Sequence, residues 1–202
     1  MIKIYHAPLT RSLRPIWLCE ELGLSYEIIP VDFSPEYRAS EEWRNINPVG
    51  KVPSMSDGDL TMMESGAMVQ YLLDRYAPGR LQPERGTAEH AIYLQWSWFA
   101  ESTFARPVGE VANHARHFPG TNSIPAVLDE MADRAALCMQ AVATVTQDNN
   151  YICGPEFNAA DIMMGYSILI AEHLVPERIP DDLLPYWRRL KERPAYQRTI
   201  AA

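Results

Sequence analysis

Between Asn47 and Ser65 the chain reads NPVGKVPSMSDGDLTMMES, and this stretch carries the groups best placed to hold a small ligand. Val52-Pro53-Ser54-Met55 predicts a short strand. Proline has no N–H for a sheet ladder, so it belongs at a strand start or an edge. Asp57-Gly58 is a two-residue hairpin signal, and Leu60-Thr61-Met62-Met63 returns as the partner strand. Glu64-Ser65 stands just before a long periodic apolar run, where a serine can cap a helix and leave backbone N–H groups facing outward. Such groups, with the helix dipole, favour a carboxylate or phosphate. The strand edge beside Pro53 and the helix start at Ser65 could together hold a small extended peptide, one by its backbone and the other by its carboxylate. The same residues would also serve an ordinary hairpin followed by a capped helix.

Composition narrows the function classes. The chain has 202 residues, 47% apolar and 22% charged, as expected of a globular protein. Eighteen basic against twenty-six acidic side chains leave a net charge of −8, which argues against nucleic acid or an anionic membrane as partner. The start MIKIYHAP lacks a signal peptide's apolar core, and the most apolar run, Ile162 to Ala171, is too short to span a bilayer. The three cysteines are odd in number, far apart and outside any C-x-x-C, which suits free thiols in a reducing cytoplasm. His114 and His117 could share a helix face, but nothing completes a metal site around them, so no metal is expected.

The elements that must position these groups follow from periodicity. Ile2 to His6 alternates and predicts a strand. After the loop Ala7 to Arg11, Pro15, Leu18, Cys19 and Leu22 fall on one helix face. With Ser12 as N-cap, Pro15 is tolerated in the first turn, and Gly23 ends the helix. Tyr26 to Val31 predicts a second strand, completing a unit of the size that joins parallel strands. Ser34 to Asn45 is polar and irregular and predicts a helical region. Beyond the hairpin, Val69, Leu72, Leu73 and Tyr76 form an apolar face that Ala77-Pro78-Gly79 stops. Residues 1–79 therefore read β-α-β-α-β-β-α, and residues 80–86 form a polar linker. Residues 87–202 read as an all-α bundle: Thr87 to Arg116, Ile124 to Thr146, a central buried helix started by Asn158-Ala159-Ala160-Asp161, and closing helices over Asp182 to Glu192 and Pro194 to Ala201.

Over its whole length the chain resembles the cytosolic glutathione transferases. The match rests on Asn47-Pro48-Val49-Gly50-Lys51-Val52-Pro53, Glu64-Ser65-Gly66-Ala67-Met68 and Asn158-Ala159-Ala160-Asp161. Ser12-Leu13-Arg14 through Trp17-Leu18-Cys19-Glu20-Glu21-Leu22 is similar to bacterial and fungal members. The resemblance implies a thioredoxin-like glutathione-binding domain over 1–79 and a helical domain contributing the electrophile site. It implies a cis bond before Pro53, backbone pairing of Val52 with the cysteinyl group, Glu64 and Ser65 at the γ-glutamyl end, and Lys51 near the glycyl carboxylate. It also implies a homodimer.

That chemistry needs the glutathione thiol as thiolate. A free thiol titrates near ~8.5, and lowering that by ~2 units takes ~2.7 kcal/mol of preference for the anion. One hydroxyl hydrogen bond to the charged sulfur can supply ~1.5–3 kcal/mol, and a helix amino end ~0.3–1 kcal/mol. The candidates are Thr10 first, Ser12 second and Tyr5 third. Ser12 competes with its own role as N-cap, and Tyr5 with a place on the sheet face. Arg11 could favour the anion by its charge. Arg11 also stands where the cysteine-type bacterial enzymes carry their cysteine, which has no counterpart here.

The resemblance places the second substrate near the loop after the first strand and the first long helix of the second domain, where Trp96, Trp98, Phe99, Phe104, Arg106 and His114 are offered. The expected activity is attack of the thiolate on a small, apolar electrophile. The alternatives are a glutathione-dependent peroxidase or thiol reductase, and a non-catalytic interaction domain on the same fold. A disulfide oxidoreductase using the chain's own cysteines is disfavoured by the missing C-x-x-C.

Overall fold

Ile2 and Ile4 are buried and alternate with half-buried Lys3 and Tyr5, and Ile2–His6 forms strand β1 of the computed structural model, which describes residues 1–202. Helix α1 (Leu13–Leu22) follows, then β2 (Tyr26–Pro30), α2 (Pro35–Ala39), α3 (Glu41–Ile46), β3 (Ser54–Asp57), β4 (Leu60–Met63) and α4 (Ser65–Tyr76). The sheet order is β2-β1-β3-β4, with β1 and β2 parallel and the other pairs antiparallel. This is the expected α/β thioredoxin-like arrangement, with one refinement. The polar region after β2 is two short helices, because Ser34 and Ser40 each cap one, accepting from Tyr37 N and Trp43 N at 3.2 Å.

The hairpin differs in register from the sequence reading. Its turn is Gly58-Asp59, with Asp57 paired to Leu60. Asp57 stays in the strand because its carboxylate accepts from the hydroxyls of Tyr71 and Tyr76 on α4. Gly58 takes the left-handed conformation, φ 61°, at little steric cost. β3 begins at Ser54 rather than Val52, since Pro53 has no N–H to give the ladder.

The chain divides into two units, Met1–Arg80 with Glu192–Ala202, and Leu81–Lys191. In the first, α1 packs on α4 and on the last helix, α10 (Pro194–Ile200). Trp17 meets the Tyr196 ring edge-on at 4.9 Å between centroids, and Arg193 grips the Glu21 carboxylate through two nitrogens at 2.6 and 2.8 Å.

The second unit is helical throughout: α5 (Ala88–Trp98), a π-helical segment (Phe99–Phe104), α6 (Ala105–His117), α7 (Pro125–Thr146), α8 (Ala159–Leu174) and α9 (Leu184–Lys191). α8 is the core helix and carries the expected capping box between Asn158 and Asp161. The π-helical segment interrupts what periodicity alone reads as one helix. The Ala100 carbonyl there accepts from Ala105 N, five residues on, and from the Ser167 hydroxyl of α8 at 3.0 Å. The Ser167 hydroxyl thus shares a ladder carbonyl within the π-helical turn. No helix is long and apolar enough to cross a membrane.

Candidate functional site

The loop joining β1 to α1 gathers three side chains into a buried chain of hydrogen bonds. His6 Nδ1 lies 2.7 Å from Ser12 Oγ, Ser12 Oγ lies 2.7 Å from Thr10 Oγ1, and Thr10 Oγ1 donates to the Ala7 carbonyl at 2.7 Å. Ser12 Oγ also stands 3.4 Å from that carbonyl. His6 shares the inward face of β1 with Ile2 and Ile4, which turns its ring toward α1. Ser12 occupies the N-cap position of α1 but makes no side-chain cap bond. The expected capping role is therefore not taken: the Ser12 hydroxyl is engaged by His6 and Thr10 instead. Ser12 is 0% exposed and Thr10 is 8% exposed, so of the two residues only Thr10 keeps any surface open. Leu9, immediately before it, holds φ at 56°, a conformation costly for a side chain bearing a Cβ.

Tyr5 points to the opposite face of the sheet, where its ring meets Trp43 edge-on at 5.7 Å. The structure thus brings Thr10 and Ser12 together and leaves Tyr5 apart. Arg11, between the two hydroxyl residues, is half-buried. The first turn of α1 holds no acidic residue to offset its dipole.

The segment Asn47 to Pro53 is built around Asn47. Its Nδ2 donates to Ser54 Oγ at 3.1 Å and to the Pro53 carbonyl at 3.4 Å, and its Oδ1 accepts from Lys51 N at 3.1 Å. Gly50 has φ 65°, and a Cβ there would lie 2.5 Å from the Arg38 carbonyl, so only glycine fits. The Val52–Pro53 bond is cis, as the resemblance implied. The Lys51 side chain is exposed and Val52 is half-buried.

Ser65 is the first residue of α4, not its cap. The N-cap is Glu64, with φ 72° and no side-chain cap bond. The amino end of α4 is thus unblocked by any side chain and has no acid in its first turn, which suits an anion. The Ser65 hydroxyl is buried and accepts from Arg14 Nη1 at 3.1 Å, although the two residues are 51 apart in sequence.

Sequence reasoning passed over His6, Arg14 and Asn47 as site residues. A signal was present for two of them. His6 has the parity of the core-facing isoleucines of β1, and Arg14 stands on the apolar face of α1 with Leu18. A polar side chain at a core position demands a partner.

Of the candidates offered for the second substrate, Trp96, Phe104 and His114 are buried, and His114 Nε2 accepts from Ile124 N at 2.9 Å. Trp98 is 64% exposed. Within the helical unit, α6 and α7 enclose a groove of about 650 Å³ lined by Arg106, Glu110, Met131, Arg134 and Leu137.

A family model described as glutathione S-transferase, N-terminal domain, matches residues 1–74. "Glutathione S-transferase 3" of Zea mays is 27% identical over 212 residues, covering 100% of this chain and 94% of that protein. "Glutathione S-transferase 3" of Schizosaccharomyces pombe is 27% identical, covering 96% and 85%. Among solved structures, the theta class glutathione S-transferase of Xanthomonas axonopodis pv. citri with glutathione bound is 31% identical at a TM-score of 0.83, covering 100% of this chain and 97% of that one. A Phanerochaete chrysosporium glutathione transferase in complex with oxidized glutathione shares the fold at a TM-score of 0.86, with 24% identity and coverage of 98% and 94%.

Proposed function

The chain belongs to the glutathione S-transferase family, and from that premise we propose that it binds glutathione and activates its thiol as a thiolate for attack on a small, apolar electrophile. The observation that carries this reading is the buried hydroxyl pair Thr10–Ser12 at the amino end of α1. Thiol ionisation needs a hydroxyl donor and a positive end of a dipole at one place, and both are there. Thr10 is assigned as the donor, since Ser12 is wholly buried and Thr10 is not. The Arg11 charge beside it adds to the preference for the anion.

In this reading the backbone of Val52, beside Pro53, pairs with the cysteinyl group. Ser65, Glu64 and the uncapped start of α4 take the γ-glutamyl carboxylate and amine, and Lys51 stands near the glycyl carboxylate. The glutathione bound in the Xanthomonas relative supports the ligand. The thiol proton leaves to solvent, and the sulfur lone pair forms the new carbon–sulfur bond as the electrophile's bond to its leaving group breaks, the leaving group departing with that electron pair. Leu9, 46% exposed beside Thr10, gives the loop an apolar side suited to an apolar electrophile.

A reductase run on the protein's own cysteines is less favoured. Cys19 is fully buried, and desolvation, with the Glu20 charge, pushes its thiol up to about 12. Desolvation and Asp161 push Cys153 to about 12 as well. Both thiols are protonated at neutral pH and poor nucleophiles. A homodimer in the cytoplasm belongs to the same proposal, and sedimentation showing only particles of 23.0 kDa would contradict the dimer.

The test is calorimetric titration with glutathione, followed by the ultraviolet absorbance of the bound thiolate against pH. Binding, with the thiolate appearing below the ~8.5 of a free thiol, is expected. No heat at millimolar glutathione overturns the reading. Binding without ionisation would favour a non-catalytic domain.

A further inference from the structure

The three buried side chains of the β1–α1 loop have a fixed number of protons to share, and counting them gives the chain a direction. Each hydroxyl has one proton to donate and can accept. The Ala7 carbonyl has none, so the 2.7 Å contact with Thr10 uses the Thr10 proton. The 2.7 Å contact between Thr10 and Ser12 must then use the Ser12 proton. The 2.7 Å contact between Ser12 and His6 is left to a proton on His6 Nδ1. In the opposite direction, Thr10 would donate to Ser12 and Ser12 to His6. That would leave the Thr10 oxygen facing the Ala7 carbonyl at 2.7 Å with no proton between them.

His6 is suited to this. It is 5% exposed, and its Nε2 is buried without a hydrogen-bond partner. Burial lowers the imidazole pKa, so the ring is neutral near neutral pH and has a single ring proton, which the count places on Nδ1.

We propose that His6 is a positioning residue for thiol activation: by donating from Nδ1 into Ser12 it orders the chain His6→Ser12→Thr10, making Thr10 the outgoing donor to the glutathione sulfur. This rests on the thiolate-activating reading above. When the thiolate is bound, the Thr10 side chain swings its hydroxyl out of the 2.7 Å contact with the Ala7 carbonyl and donates to sulfur, while still accepting from Ser12. Hydrogen bonds in series polarise one another, so Thr10 is a better donor than an isolated hydroxyl. No bond to His6 forms and no proton is transferred to it. Ser12, although nearer the helix, spends its own proton on Thr10.

The experiment compares the wild type with His6→Leu, which removes the donor, and His6→Asn, whose side-chain amide can supply an N–H near the Nδ1 position. The readouts are the pKa of bound glutathione from thiolate absorbance, the glutathione Kd from calorimetry, and the thermal midpoint. His6→Leu is expected to raise the bound-thiol pKa by about half a unit with little change in Kd, and His6→Asn to restore most of that shift. An unchanged pKa in His6→Leu, or equal shifts in both variants, overturns the proposal. Should His6→Leu not fold, nitrogen-15 NMR of the wild-type ring decides, with the signal assigned by its loss in His6→Asn. Protonated Nδ1 with bare Nε2 is expected, and the reverse tautomer overturns the proposal. A wild type that binds no glutathione, or never ionises it, fails the activity reading and this proposal with it. A wild type that ionises glutathione while the variants do not differ from it fails this proposal alone.

Discussion

Arg14 on α1 donates through Nη1 to the Ser65 hydroxyl at the start of α4, 3.1 Å away, and both side chains are buried. A fully buried guanidinium is tolerable only when hydrogen-bonded. The bond therefore does two things: it pairs one of the Arg14 donors and it aims the Ser65 hydroxyl. Ser65→Ala is expected to destabilise the fold by about 1–3 kcal/mol through the donor it strands, rather than through a lost cap. If Ser65 also meets glutathione, the same change weakens binding by roughly 1–3 kcal/mol. Chemical denaturation and calorimetry separate the two. Unchanged affinity removes Ser65 from the site and leaves it a structural partner of Arg14.

Asp161 makes the corresponding anchor in the helical unit. Its carboxylate accepts from Ile152 N at 2.8 Å, from Asn158 N at 2.9 Å and from the Tyr186 hydroxyl at 2.8 Å, and it is completely buried. Asp161→Asn keeps the size but sets an NH2 group against at least one of these donors. A loss of about 3 kcal/mol or more is expected. A thermal midpoint within two degrees of wild type would contradict the anchor, since ~1 kcal/mol alone moves a chain of this size by roughly 2–4 °C.

What could be read from the sequence divides along local and non-local lines. The alternation of Ile2 and Ile4, the stop at Gly23 and the Asn158–Asp161 box are local patterns, and the structure has all three. The π-helical segment at Phe99–Phe104 receives a hydrogen bond from Ser167 of another helix, which no window around Phe99 contains. Ser12 looks like a cap because of its place before α1. Its hydroxyl goes elsewhere because His6, at the end of β1, comes within 2.7 Å of it only after the chain has turned. Likewise, the periodicity that makes Pro194–Ile200 a helix says nothing of its partner. That was decided by Trp17, Glu20 and Glu21 on α1.

The last helix should respond to acid. The Arg198 hydrogen bond first, and the Tyr26 hydroxyl second, hold the Glu20 carboxyl below its ordinary value. A group whose folded pKa is depressed contributes stability above its unfolded pKa and loses it as pH falls through the folded one. The contribution is thus complete at neutral pH and fades below the ordinary glutamate range. Solvent screening keeps it under about 1 kcal/mol, enough to loosen one helix end. Hydrogen exchange at Ala195 to Ile200 should quicken on acidification before the β1 amides do. In Glu20→Gln the step should be smaller, and an identical pH response in that variant would rule out Glu20 as its source.

The two hydroxyls of the β1–α1 loop give the most discriminating comparison. Thr10→Ala removes the outgoing donor, so the pKa of bound glutathione is expected to rise by about one to two units, ~1.4–2.7 kcal/mol. A raised thiol pKa means less thiolate at neutral pH, and the rate at fixed pH should fall with it. The fold should change little, because Thr10 lies at the edge of the buried group and leaves only Ser12 to redirect its proton toward the Ala7 carbonyl at 3.4 Å. Ser12→Ala is different in kind. It leaves Thr10 in place without the neighbour that polarises it, so the thiol pKa should rise by only about half a unit. It also strands the buried His6 Nδ1–H, at a cost of about 1–3 kcal/mol of stability. No cap is lost, since Ser12 makes no side-chain cap bond. Thiolate absorbance against pH, read beside the thermal midpoint, gives each variant a two-part signature. A larger pKa shift in Ser12→Ala than in Thr10→Ala would make Ser12 the donor to sulfur. If neither variant shifts the titration, Arg11 is the next residue to replace, ahead of Tyr5, whose ring is turned to the opposite face of the sheet against Trp43.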